Sequence, residues 1–145
     1  MFEVMMVELD SNKMYIYTDG GSRGNPGQSA IGVVICNGSK QVVHSYKQRI
    51  GYGTNNEAEY KALIKGLEIA VAFGKDDVVF FSDSELLIRQ INGKYKIRSR
   101  NLIALYDEVR CREKSFKKVT YIHQRRENEF IQECDRLVNQ ALDGT

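Results

Sequence analysis

The stretch MYIYTDGGSRGNPGQSAIGVVICNGSKQVVHSYKQRI, residues 14–50, decides the architecture. MYIYTD (14–19) reads as a strand that meets a glycine-rich turn, GGSRGNPG (20–27). AIGVVIC (30–36) and QVVHSYKQRI (41–50) are two further strands, separated by Asn37-Gly38, a hairpin signal. Downstream the period changes. Residues 56–73 read as a helix and DVVFFSD (77–83) as a short buried strand. A second helix spans Ser84 to about Asn92 and a third roughly 100–115. VTYIH (119–123) is a fifth strand, and a last helix ends near Leu142. The order is β-β-β-α-β-α-α-β-α. It implies an α/β fold with a five-stranded mixed sheet, later strands added in parallel and helices on both faces.

The chain of 145 residues is the size of one domain. With one proline, Pro26, and no linker or repeat, residues 13–145 read as that domain, and 1–12 as a leader or extra strand. The mix of 42% hydrophobic and 28% charged residues excludes a disordered tail, a collagen-like fibre and a disulfide-stapled miniprotein. No apolar run reaches the length of a membrane span. The N-terminus is acidic where a signal peptide is basic. Three widely spaced cysteines, Cys36, Cys111 and Cys134, suit a reducing compartment, and a cytoplasmic location is expected.

The net charge of +2 hides an asymmetry. Residues 94–126 carry eleven Lys and Arg against three Asp and Glu, while the rest of the chain is acidic by six charges. A solvated helix face can do this; so can a footprint for a polyanion.

Four acids stand out. Asp19 closes an apolar strand at a glycine-rich turn, and Asp83 closes VVFFSD. Each alone has an ordinary reading, since aspartate favours turns and Asp83 precedes a helix it could cap. Together they can share one crevice at the carboxyl ends of parallel strands. On a helix turning about 100° per residue, Glu57, Lys61, Lys65 and Glu68 share one face. Glu59 falls on the opposite, apolar side, between Gly66 and Ala70. An acid there needs compensation: a buried salt bridge, or a cation shared with the two aspartates. Asp135 lies at the edge of the apolar arc of the last helix. Carboxylates without a cysteine or histidine cluster favour Mg²⁺ or Mn²⁺ over zinc. His44 lies mid-strand, where a structural or surface role is expected, whereas His123 ends a strand within reach of the last helix.

TDGGSRGNPG (18–27), TNNEAEYKALIKGLE (54–68), SDSELLIRQINGKYKIR (82–98) and CDRLVNQAL (134–142) together resemble type 1 ribonuclease H. The resemblance covers about residues 13–142 and is closest to the compact form, without a separate hybrid-binding domain or a basic protrusion. It implies the ribonuclease H-like fold and endonucleolytic hydrolysis of the RNA strand of RNA–DNA hybrids. The family's four acids map onto Asp19, Glu59, Asp83 and Asp135, which would hold two Mg²⁺ or Mn²⁺ ions. One ion would activate water and the other would stabilise the departing 3′-oxygen, giving 5′-phosphate and 3′-hydroxyl products. The backbone of Gly20 is a further metal candidate, and His123 a candidate for product release. Asn25, Asn55 and Asn56 match minor-groove contacts, and Thr54 a DNA-phosphate contact. Asn56 could equally start the helix. Lys94, Lys96, Arg98 and Arg100 would meet phosphates non-specifically. The partner implied is the hybrid, with no membrane and no obligate protein partner. Two features depart from the pattern. Glu85 stands where many members have glutamine, which argues against a groove contact there. Counted from Asn128, Asp135 comes three residues late, so the loop is longer or Glu129 or Glu133 takes the metal role. The alternatives are another nuclease of the same general fold, or a catalytically weak hybrid-binding module.

Overall fold

A computed structural model describes residues 12–145. The leader or extra strand expected at the N-terminus therefore lies outside the described residues, save Asn12, whose carbonyl accepts from the Asp77 N–H at 3.1 Å. Five strands, β1 (Lys13–Arg23), β2 (Gly27–Cys36), β3 (Val42–Gly53), β4 (Asp77–Ser82) and β5 (Lys118–His123), form one sheet in the order β3-β2-β1-β4-β5. The first three are antiparallel neighbours; β4 joins β1, and β5 joins β4, in parallel. Four helices follow the expected order: α1 (Asn55–Ala70), α2 (Glu85–Ile91), α3 (Arg100–Glu113) and α4 (Glu129–Asp143).

Strand alternation sorts the core into two faces. Met14 and Ile16 of β1, Val33 and Ile35 of β2 and Phe80 of β4 pack with Leu63 and Leu67 of α1. The intervening residues Tyr17, Val34 and Cys36 point the other way, onto Ile131, Cys134 and Leu137 of α4. Tyr17 stacks on Phe81 of β4 with ring centroids 4.7 Å apart. The two-sided arrangement explains why β2 reads as a nearly unbroken apolar run: both of its faces are covered.

Three local expectations change. The glycine-rich segment is mostly strand, because β1 pairs with β2 as far as Arg23↔Gln28, leaving only Gly24–Pro26 as the turn. The β2–β3 connection is wider than a two-residue Asn-Gly turn. Asn37 Oδ1 accepts from the N–H groups of both Ser39 and Gln41, and the left-handed residue is Lys40 (φ 62°), not Gly38. The first helix stops at Ala70 and tightens into a 3₁₀ turn, Val71–Phe73, ended by Gly74 at φ 67°.

Candidate active site

Strand pairing brings the two strand acids together. The pairing of β1 with β4 ends at Tyr17↔Phe81, and just beyond it Asp19 and Asp83 bring carboxylate oxygens within 4.8 Å of each other. They differ in context. Asp19 sits inside β1, not at its end as expected, and pairs with Gly32 of β2. Asp83 lies just beyond β4, which stops at Ser82. The crevice is the gap left where β4 ends and β1 continues. Asp83 is also not the cap of α2, because Ser84 Oγ accepts from the Leu87 N–H at 3.2 Å.

Glu59 reaches this gap from α1. It is only 7% exposed and has no ion-pair partner among the described residues, so the salt-bridge reading fails. Its carboxylate accepts from the Gly20 N–H (2.7 Å) and from Ser82 Oγ (3.2 Å), joining the helix to β1 and to the end of β4. Such an approach requires glycine: a Cβ on Gly20 would lie 2.3 Å from the Ala58 carbonyl carbon. Helix α4 uses the same device on the other face. A Cβ on Gly32 would lie 2.4 Å from the Cys134 carbonyl oxygen. Each helix thus touches the sheet at the residue preceding its acid.

One carboxylate oxygen each from Asp19, Glu59 and Asp83 lie within 4.8 Å of one another. Asp135 is exposed and outside this tight group, but it lines the same cleft, of about 640 Å³, with its charge close enough to act on Asp19. Asn128 caps α4 through bonds to the Phe130 and Ile131 N–H groups, so every residue from Glu129 to Asp135 is helical. Neither Glu129 nor Glu133 lines the cleft, and Glu133 is paired with Arg136.

The electrostatics call for a cation. Burial first, and then the charge of Asp83, pushes the Asp19 carboxyl up to about 7. Burial and the charge of Asp19 raise Glu59 well above the usual carboxylate range. An all-oxygen donor set with no thiol or imidazole fits a hard divalent ion, and Asp19, Glu59 and Asp83 are the residues positioned to hold it.

The predicted contact residues divide into two groups. Asn55 Oδ1 accepts from Ser22 N–H and Oγ (2.8 and 3.0 Å), and Asn25 Oδ1 accepts from the Asn55 N–H (3.0 Å). The helix is started by Thr54, whose capping box with Glu57 overturns Asn56 as its cap. Asn25, Thr54 and Asn56 line a second cavity with Ser99 and Asn101, two polar residues that the motifs did not single out. Lys94, Lys96 and Arg98 are exposed between α2 and α3 and line neither cavity. His123 ends β5 with Nε2 3.3 Å from the Asp83 carbonyl oxygen. The mid-strand His44 is exposed, its ring 6.5 Å from that of Phe73. Glu85 is held by Arg89 at 2.6 Å. Sequence reading also missed Ser82, whose even-numbered place in β4 aims it at α1, and gave Arg126 no role at the site.

Residues 17–141 match the family model described as reverse transcriptase-like. The bifunctional protein Rv2228c of Mycobacterium tuberculosis is 38% identical over 133 residues, 91% of this chain but 36% of that protein. The structure of its N-terminal RNase H domain superposes with a TM-score of 0.86 at 37% identity, covering 91% of this chain and 94% of that one. Ribonuclease HI of Halobacterium salinarum is 36% identical over 141 residues, 90% of this chain and 65% of that protein. Its crystal structure gives a TM-score of 0.87, covering 92% and 99% of the two chains. LC11-RNase H1, solved in complex with an RNA/DNA hybrid, gives 0.84 at 38% identity, covering 90% and 97%. This chain thus spans about a third of the mycobacterial relative and just under two thirds of the archaeal one. Sequence likeness along nine tenths of the chain and the superposed sheet and helices agree: the chain belongs to the ribonuclease HI family.

Proposed function

We propose that the chain is a metal-dependent endoribonuclease that hydrolyses the RNA strand of RNA–DNA hybrids, leaving 5′-phosphate and 3′-hydroxyl ends. The observation that carries this reading is the meeting of the Asp19, Glu59 and Asp83 carboxylates at one cleft, in a member of this family. Two Mg²⁺ or Mn²⁺ ions would supply an activated water and stabilisation of the leaving oxygen when bound. Asp19, Glu59, Asp83 and Asp135 would hold them, Asp135 from the exposed side. Gly20 N–H and Ser82 Oγ orient Glu59 for that role. His123 is proposed to assist product release.

Substrate contacts follow from donor inventory. The side-chain oxygens of Asn25 and Asn55 are engaged by N–H groups, leaving their amide nitrogens to donate. Together with Asn56 they suit 2′-hydroxyls and the acceptor edges of the minor groove. Thr54 is proposed to meet a phosphate of the DNA strand, and Lys94, Lys96 and Arg98 to add non-specific phosphate contacts. No helix among the described residues is long and apolar enough to cross a membrane. Cys36, Cys111 and Cys134 are all free, as suits the reducing cytoplasm proposed as its place of action.

The test is cleavage of a labelled hybrid of about one to two helical turns, with Mg²⁺, Mn²⁺ or EDTA, beside single-stranded RNA and duplex DNA. Cutting of hybridised RNA alone, lost in EDTA and in Asp19→Asn while hybrid binding survives, is expected. Binding without cutting under every ion would leave a hybrid-binding module instead.

A further inference from the structure

We propose that Arg126 is a resident counter-cation of the acidic cluster that a divalent ion must displace, and that it thereby sets how tightly the ion-free protein takes its metal. The inference rests on the metal-dependent reading above. Arg126 Nε lies 3.3 Å from Asp83 Oδ2, one of the three clustered carboxylates. It is the one Lys or Arg paired with any of Asp19, Glu59, Asp83 or Asp135 among the described residues. The two partners differ sharply in burial: the Asp83 side chain is 16% exposed, that of Arg126 88%. Among the described residues the Arg126 side chain makes no hydrogen bond, and it lines the cleft from the segment 124–128 between β5 and α4.

Competition follows from charge and geometry. A Mg²⁺ ion sits about 2.1 Å from a ligating oxygen. A guanidinium 3.3 Å from Asp83 Oδ2 and an ion held by the same carboxylate are two cations at one anionic group, and they repel. Guanidinium does not lose its proton, so it yields only by swinging away. Its exposure makes that movement easy, because no packing holds it. For an exposed pair the gain from the contact is small, which corresponds to about a two- to five-fold weakening of metal affinity.

The experiment is calorimetric titration of Mn²⁺ and of Mg²⁺ into the full ion-free chain at low ionic strength, without nucleic acid. Wild type is compared with Arg126→Ala, Arg126→Glu and Arg125→Ala. Arg126→Ala is expected to tighten binding about two- to five-fold and Arg126→Glu about ten-fold. Arg125→Ala, with the same change of net charge at an unpaired neighbour, is expected to stay within about two-fold of wild type. Melting temperatures without metal report that the variants are folded. Unchanged or weaker binding in Arg126→Ala, with wild-type binding intact, overturns this proposal and leaves the nuclease reading standing. Equal tightening in Arg125→Ala overturns it too, since the effect would then be net charge. A wild-type chain that takes up neither ion brings down both readings.

Discussion

Asp19 concentrates the electrostatic cost of the site. Its carboxyl moves from an ordinary 3.8 to about 7, through burial and then through the charge of Asp83. In the unfolded chain it ionises near its ordinary value. Between those two values the folded, ion-free protein holds a proton that the unfolded chain has released. The resulting stabilisation is fully present below about pH 4 and is lost as pH rises through about 7. The melting temperature of the ion-free protein is therefore expected to fall between about pH 5 and pH 8. Asp19→Asn should flatten that slope and stabilise the ion-free protein at pH 8 by about 1–3 kcal/mol. Saturating Mg²⁺ should raise the wild-type melting temperature at pH 8 and have little effect at pH 5. Thermal melts across this range, with and without Mg²⁺, check it. A wild-type profile no steeper than that of Asp19→Asn would refute the assignment.

At the level of elements, the site exists because two helices lie unusually close to opposite faces of one sheet. Helix α1 meets β1 at Gly20, and α4 meets β2 at Gly32. The atoms in the way are backbone atoms of Ala58 and Cys134, which no rotamer change can move. Gly20→Ala and Gly32→Ala are each expected to destabilise the fold by about 2–4 kcal/mol, read by denaturant or thermal unfolding. The two should differ at the site. Gly20→Ala displaces Glu59 together with the N–H that holds it, so metal binding should be lost even in folded protein. Gly32→Ala shifts the exposed Asp135 and should weaken metal binding while leaving the three-acid cluster able to take an ion. Calorimetry on the folded fraction separates the two, and metal affinity unaltered in Gly20→Ala would contradict the close-approach argument.

Across the whole molecule, charge is divided between an acidic crevice and a basic surface. Several basic residues on and after α3 are spent on internal pairs, among them Arg110 with Glu113, Arg112 with Glu68 and Glu108, and Lys117 with Asp76. Lys94, Lys96, Arg98 and Arg100 have no ion-pair partner among the described residues. With the exposed Lys114, Lys118 and Arg125, which also have no ion-pair partner among the described residues, they leave part of the basic segment free for a polyanion. Replacing Lys94, Lys96 and Arg98 together by Ala is expected to lower the slope of log affinity against log salt by about 2–3. Cleavage at saturating hybrid should change little, because these residues lie outside the cleft. An unchanged salt slope would remove the segment from the binding surface.

The order of strands and helices, the parallel addition of β4 and β5 and the two-faced core were legible in the sequence, because side-chain period reports directly which way each residue points. So was Glu59, since an acid on the apolar side of a helix breaks that period. Local chemistry misled twice: pairing with β2 turned most of a glycine-rich segment into strand, and the equally local Thr54–Glu57 capping box started the helix in place of Asn56. Tertiary structure alone decided that the Asp19 and Asp83 carboxylates meet, that Ser82 and Gly20 hold Glu59, and that Arg126 stands against Asp83. Each of these depends on register or on contacts between residues far apart in the chain. Periodicity carries no information about such distances; the packing of helix on sheet does.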